Sequence, residues 1–579
     1  MVDAAPSSVR FALLEFLFAD RYSQFRSKCY AFLLGQARAL DVPAQWFCGW
    51  APPGRDSRKR YVIDLEEDAW EPILDAIEAF APTHLILSEK LDTRLQRALE
   101  QRLPNVVVDN LADAPDERVV YTRVGWLPRW LGLREGAWAP FEQRFILDAC
   151  EPCYETRCVP PPPGVPTPAP PPVHVAAGPE CVYQRPLAHS RFFQDVSLSP
   201  GVRPFGCSFC VGPGSVDYAF ETPAIELALK QCLAALSCRD RCSSTTDYVI
   251  DGGAVSLRVG SFFRGILAHP FPPSRFYFAY RIDELARVGP QLDKVLPAMA
   301  EAGHRIAIYN MGVENFSEAE NERLNKGLCA ADIDALTERV AEWERRFPQT
   351  FEFTQKGGFG LILYTPWTTL EDLNVNLSRM RRPGVGTEGF ALTAKLQILP
   401  NAAIAELARR DGALADSFDD FHYYDSGCFY RHDQRELPWR FLHPEVGALY
   451  KVGCRVVPIT EFGADDELFA RVQALYKSRP DVWCDSLEFF ADALRVTAEA
   501  PSPQGPEEIL ERMRAQADTR PKLRSQGRVP REHMPRSTTV MLASRLSELL
   551  LPDRGKRYRF GGFEISSIDA KRDDTVRIS

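Results

Sequence analysis

Cys207 and Cys210 stand three positions apart in the stretch SPGVRPFGCSFCVGPG. Two thiolates at that spacing on a loop can face one soft metal centre, and the flanking Gly and Pro keep the backbone irregular enough to wrap it. Taken alone, the pair is equally compatible with zinc or with redox chemistry. Cys150, Cys153 and Cys158 form a C-x2-C-x4-C run, a spacing that can hold zinc or an auxiliary cluster but lacks a fourth ligand nearby. Cys238 and Cys242, in SCRDRC, form a third group. The remaining cysteines, of 15 in all, read as reduced thiols and small buried hydrophobes. Tyr423, Tyr424 and Tyr430 with His422 and His432 suit either a substrate pocket or an aromatic core.

These residues need elements to position them. The 579 residues exceed what one core can organise, so at roughly 100–200 residues per domain two or three domains are expected. Residues 9–110 alternate strand-length apolar runs (9–18, 45–50, 83–88, 105–109) with amphipathic helical patterns (27–40, 68–80, 93–102). This predicts a parallel, doubly wound α/β sheet, which binds ligands at the carboxyl ends of its strands. The segment VPPPPGVPTPAPPP at 159–172 can join neither helix nor sheet and predicts a stiff linker. Strand patterns recur at 195–199, 247–251, 275–281, 305–311, 360–365 and 392–399. Helical patterns lie between them at 224–236, 261–268, 291–302, 331–346 and 370–381. Six βα units predict a partial or full βα barrel with its chemistry at the strand carboxyl ends. The expected division is a doubly wound domain at 1–130, a connecting segment at 131–180, a barrel at 181–414 and a mixed C-terminal subdomain with a tail at 415–579.

A net charge of −9 gives no basic footprint for nucleic acid. The opening MVDAAPSSVRFALLEFLF lacks a basic n-region, its apolar run is broken by Glu15, and no long apolar stretch follows. A cytoplasmic protein engaging neither nucleic acid nor membrane is expected.

With the cysteine loop placed at the start of a βα barrel, GCSFC resembles the cluster loop of the radical S-adenosylmethionine (SAM) superfamily, whose usual form is CxxxCxxC. Three downstream segments agree in order and spacing. DGGAV after 247–251 is similar to the family's GGE motif, and IAIYNMGVENFSEAENERLNKG is similar to its "GvEs…L…nKg" segment. GFGLILYTPWTTLEDL is similar to its "G.P.tT.edl" stretch. The doubly wound domain ahead of the barrel resembles the cobalamin-binding subgroup, with a flavodoxin-like (Rossmann-type) fold. The resemblance covers about residues 194–400. It implies a [4Fe–4S] cluster on Cys207 and Cys210, and SAM contacts at Gly252, Gly253, Glu314, Asn315 and Pro366.

The resemblance further implies cobalamin in the N-terminal domain and a reductant such as flavodoxin or ferredoxin. The expected reaction is modification of an unactivated carbon, C-methylation foremost, on a peptide or natural-product substrate. Three positions depart from the pattern. Arg203 stands where the first cluster cysteine is expected, and a guanidinium has no lone pair to give iron. Cys181, Cys238 or Cys242, or a carboxylate, is left to complete the set. Ala254 replaces the glutamate of GGE, and residues 1–130 contain no DxHxxG segment. A cyclising or rearranging enzyme without cobalamin, or a non-catalytic descendant that has lost its cluster, are the alternatives.

Overall fold

The structure, a computed structural model, describes residues 9–18, 30–51, 62–63, 67–87, 90–91, 93–110, 126–133, 151–159, 172–177, 181, 183–210, 223–238, 246–353, 358–382, 385, 392, 394–416, 418, 437–456, 486–499, 505–519, 557–560 and 563–566. The first sheet has strands β1 (Phe11–Phe18), β2 (Ala44–Ala51), β3 (His84–Leu87), β4 (Val107–Asn110) and β5 (Thr156–Cys158). They are all parallel, in the order β4-β3-β1-β2-β5. Both faces of β1 are buried. Phe11 and Leu13 join a core with Leu33, Leu34, Leu127 and Leu131, while Ala12, Leu14 and Phe16 join another with Trp70, Ile73, Leu95 and Leu99. Helices Tyr30–Ala39 and Trp126–Trp130 thus cover one face, and Glu67–Phe80 and Thr93–Arg102 the other. Coverage on both sides is what a parallel sheet requires, and it explains why these strands read as continuous apolar runs. The order reverses between β1 and β3, the switch point where such sheets bind ligands. The chain leaving those two strands, at 19–29 and 88–89, lies outside the described residues.

The second sheet contains β6 (Val173–Ala176), β7 (Asp247–Asp251), β8 (Arg275–Arg281), β9 (Arg305–Glu314), β10 (Phe351–Glu352) and β11 (Gly358–Leu361). From β7 to β10 each strand pairs in parallel with its predecessor, while β11 pairs in parallel with the end of β9, whose start pairs with β10. A parallel bridge between Tyr364 and Lys395 extends the series beyond β11. Sequential parallel strands with a helix in each crossover form a βα barrel wall. Tyr277, between Val249 and Ala307 in register, contributes to its inner layer. On the outer face Phe276 and Phe278 pack edge-on against Phe262 and Phe263 of helix Val259–Leu267, with centroids 5.4–6.3 Å apart. Each of these buried rings contributes about 1.5–3 kcal/mol relative to exposure.

Two sequence expectations are corrected. The first barrel strand is Val173–Ala176, within the stretch expected to be connecting segment, and 195–199 forms no strand. Val196 and Leu198 alternate with exposed neighbours because they pack on the cluster around Leu396 and Ala403. One-sided burial produces the same period as a half-buried strand. The described residues of 392–399 likewise contribute a single bridge rather than a full strand. Most of the proline linker, residues 160–171, lies outside the described residues. Beyond residue 415 helices Pro444–Val456, Ser486–Glu499 and Pro506–Thr519 are described, and Tyr450 and Phe490 pack against Tyr364. Among the described residues no helix is long and apolar enough to cross a membrane.

Candidate functional site

Because β6 to β11 are parallel, their carboxyl ends open on one edge. The chain that follows β6 folds over this edge as a pair of antiparallel segments. Pro186 bridges Phe205, the Gly206 N–H donates to the Arg185 carbonyl at 2.9 Å, and the Leu187 N–H donates to that of Pro204 at 2.9 Å. Gly206 has φ +91°, a conformation that costs a side-chain-bearing residue and turns the chain into Cys207. The turn is held from below: Asn325 Nδ2 donates to the Gly206 carbonyl at 2.7 Å and to that of Arg185 at 3.1 Å. The Ser208 hydroxyl donates to the Arg323 carbonyl at 2.8 Å. The Cys210 N–H then closes the loop on the Cys207 carbonyl at 3.2 Å.

Cys207 is met by charges from two strand ends. Arg281, the last residue of β8, places Nη1 3.0 Å from its Sγ, donates through Nη2 to the Lys326 carbonyl at 2.9 Å, and pairs with Asp283 at 3.0 Å. The guanidinium lies 3.4 Å from the centroid of the Tyr183 ring, a cation–π contact that fixes its plane. The Tyr183 hydroxyl points to the carbonyls of Asn325 and Lys326, each 2.8 Å away. The Lys326 ammonium is buried and pairs with Glu314 Oε1 at 3.0 Å. Glu314 ends β9 at φ +66°, a rare conformation for a side-chain-bearing residue. Burial pushes the Cys207 thiol up to about 11, while Lys326 and Arg281 pull it down. The free thiol therefore stays protonated at neutral pH, and the polar chain Cys207–Arg281–Lys326–Glu314 supplies two cations that would offset the charge of a thiolate once a metal centre displaced the proton.

The other expected residues fall at the same edge but differ in surroundings. Gly252, just past β7, approaches its neighbour so closely that a Cβ would lie 2.2 Å from the Ala177 carbonyl oxygen. Gly253 starts the short helix Gly253–Ser256 and is buried. Asn315 is fully buried: its Nδ2 donates to the Ile362 carbonyl, and its Oδ1 accepts from the Ser317 N–H and from Asn376 Nδ2, all at 2.8–2.9 Å. Its amide therefore ties the ends of β9 and β11 to helix Leu370–Met380. Pro366 is buried, and its carbonyl accepts from the Leu442 N–H at 2.8 Å. Arg203 turns its guanidinium onto the Phe205 ring, 4.7 Å from the centroid. Cys181 is exposed, two residues before Tyr183 on the segment paired to the loop. Among the described residues no three Cys, His, Asp or Glu side chains converge as ligands for a metal ion.

Cys238 is not a neighbour of Cys207. It caps helix Ala224–Ser237, which runs back to the amino end of β7, whereas Cys207 lies at the carboxyl ends. Cys153 is buried and its thiol hydrogen-bonds to that of Cys238, and Cys158 lies in β5 opposite Cys48, so the C-x2-C-x4-C run is divided between a loop and a strand. Cys150, Cys242, His422, Tyr423, Tyr424, Tyr430 and His432 lie outside the described residues. His84 is at the amino end of β3, its ring 4.9 Å from that of Trp130. The ligand-binding edge of that sheet is the opposite one.

Sequence reasoning missed Arg281, Tyr183 and the supporting role of Asn325 and Lys326. The last two stood in the quoted NKG, and Arg281 ends a strand, where barrel chemistry gathers. Asn325 also has φ +54°, which Asn tolerates better than Ala. Asn325→Ala is expected to cost about 2–3 kcal/mol through the orphaned Gly206 carbonyl and backbone strain, the Arg185 carbonyl keeping its bond from the Gly206 N–H. Limited proteolysis should then cut the 204–210 loop faster than in the parent chain, and equal rates would refute this supporting role.

No family model matches the chain, and no curated protein matches it. Among solved structures it is similar to the cobalamin-dependent S-adenosylmethionine radical enzyme OxsB with aqua-cobalamin and S-adenosylmethionine bound. That likeness has TM-score 0.48 and 13% identity, covering 88% of this chain and 79% of the other. It is also similar to the radical S-adenosylmethionine methyltransferase TsrM from Kitasatospora setae with cobalamin and a [4Fe-4S] cluster bound, with TM-score 0.41 and 13% identity, covering 88% of this chain and 99% of that one.

Proposed function

We propose that this chain is a radical SAM enzyme that modifies an unactivated carbon of a peptide or natural-product substrate, C-methylation foremost, with cobalamin held by the N-terminal sheet. The observation that carries the proposal is one of placement. Cys207, Gly252, Arg281, Glu314 and Pro366 belong to different βα units, yet all lie at the carboxyl edge of one parallel sheet series. Cys207, Arg281, Lys326 and Glu314 are moreover joined in one polar chain.

Cys207 and Cys210 would hold a [4Fe–4S] cluster, with Cys181, carried by the segment paired to their loop, as the third thiolate. When bound, such a cluster supplies the electron that splits the sulfonium of SAM and starts hydrogen abstraction. The protein's own residues bind and orient. Arg281 and Lys326 offset the charge of thiolates taken out of water. Glu314, anchored by Lys326, presents a carboxylate that can accept hydrogen bonds from ribose hydroxyls. Gly252 and Asn315 brace the strand ends that carry these groups. Reduced flavodoxin or ferredoxin would deliver the electron in the cytoplasm.

Anaerobic purification and cluster reconstitution, with iron and sulfide counts and visible and electron-spin spectra, test the proposal. About four irons per chain is the expected result, with a spectrum that changes on adding SAM. A folded chain that retains no iron overturns it in favour of a non-catalytic descendant, the state to which Arg203 points. The third ligand has its own test. Cys181→Ser should lower iron content sharply and Arg203→Cys in that background should restore it, whereas an iron content indifferent to Cys181→Ser removes this residue from the site.

A further inference from the structure

Cys153, in the loop that enters β5 of the first sheet, and Cys238, at the end of the helix before β7 of the second, meet at the seam between the two. Cys153 precedes β5, is 5% exposed, and its N–H donates to the Ala31 carbonyl at 2.8 Å. Cys238 is half-buried at the end of helix Ala224–Ser237 and accepts a hydrogen bond from the Cys153 thiol. Three further contacts hold the seam. Lys230 pairs with Glu151 at 2.6 Å, and the Tyr154 hydroxyl reaches the His174 carbonyl at 3.2 Å and Gln231 Oε1 at 3.5 Å. Segment 151–154 is therefore docked on the helix that carries Cys238. The two thiols are also unequal, one accessible and one shielded, which is the asymmetry that an attacking thiol and a resolving thiol require.

We propose that Cys153 and Cys238 form a redox-active dithiol that reacts with low-molecular-weight disulfides and cross-links the N-terminal sheet to the first barrel helix. The Cys238 thiolate attacks one sulfur of a disulfide RSSR, forming a mixed disulfide and expelling RS⁻. The Cys153 sulfur then attacks Cys238 Sγ, forming the Cys153–Cys238 bond and expelling the second RS⁻. The two protein thiols lose two electrons and two protons, and RSSR becomes two RSH.

The groups around Cys238 favour its role as attacker. The hydrogen bond from Cys153, the Tyr154 backbone, the Ser237 hydroxyl and the charge of Arg38 bring its thiol down to about 6, against a smaller upward push from burial. Arg38 is itself paired with Glu155. Burial drives the nearby Tyr154 phenol and Cys232 thiol upward, so both stay protonated and add no competing charge. A thiolate at neutral pH is the reactive form.

The test uses the full-length chain, reduced and then treated with glutathione disulfide. Free thiols are trapped with iodoacetamide and the peptides mapped by mass spectrometry. The expected product is a Cys153–Cys238 linked peptide, and alkylation of Cys238 in the reduced chain should be half-maximal near pH 6. Cys153→Ala should stop the reaction at a glutathione adduct on Cys238 and shift that half-maximum upward. If both cysteines of the parent chain stay alkylatable after oxidation, or Cys238 pairs elsewhere, the proposal fails. Because these thiols lie at the opposite end of the sheet from Cys207, iron retention is read independently and does not bear on the outcome.

Discussion

Cys207→Ala is expected to reduce iron retention and SAM cleavage to background while leaving the chain folded. The thiol is one of the two that the 207–210 loop offers, and a methyl group cannot ligate iron. Folding should survive because Arg281 keeps its bonds to the Lys326 carbonyl and Asp283 and its contact with Tyr183. No buried cation is orphaned, so the usual penalty for breaking a buried pair does not apply. Cys207→Ser should behave in the same way, since a hydroxyl is a poor substitute for a soft thiolate. Iron counts after reconstitution and the release of 5′-deoxyadenosine read the effect, with far-ultraviolet circular dichroism as the control for folding. Parent-level iron with undiminished SAM cleavage in the alanine variant would falsify the assignment of this loop as the cluster site.

The second large effect is expected at Gly252. Its φ of 168° is ordinary extended backbone, so the requirement for glycine is purely one of space. An added Cβ would sit 2.2 Å from the Ala177 carbonyl oxygen and 3.1 Å from its carbon. Backbone cannot rotate away as a side chain does, so the ends of β6 and β7 must part. Gly252→Ala should therefore destabilise the chain by about 3 kcal/mol. On the proposed function it should weaken SAM binding at the same time, because Gly252 is one of the residues assigned to SAM and the displaced strand ends carry it. Denaturant midpoints and SAM affinity measured on one preparation separate the causes. A fall in affinity at an unchanged midpoint would mean that the glycine serves the ligand directly, and the packing account would be wrong.

Much of this architecture was legible in the residues. The strand at 275–281 was read from RFYFAYR, whose period-two pattern becomes Phe276, Phe278 and Tyr280 on the helix side and Tyr277 within the barrel. Helix Leu370–Met380 begins at a Thr369–Asp372 capping box that TTLED displays. Such signals are local: they report which side of an element is buried or how its first turn is satisfied. The opening strand of the barrel was missed for the same reason. VHVA is four residues long, follows a proline run and has too few positions to display a period. Residues 195–199 do display one, but from packing without strand pairing.

By itself the sequence determined the alternation of strands and helices, the parallel sheets that follow from it, and the cysteine loop with its spacing to Gly252, Glu314 and Pro366. Tertiary structure alone decided that Arg281 meets Cys207, that Asn315 serves as a brace, and that Cys238 lies with Cys153 rather than with the cluster loop. The reason is that these contacts join residues whose separation along the chain carries no period. Their meeting is set by the order in which parallel strands stack and by the direction in which each crossover helix returns, properties of the assembled sheet rather than of any segment within it.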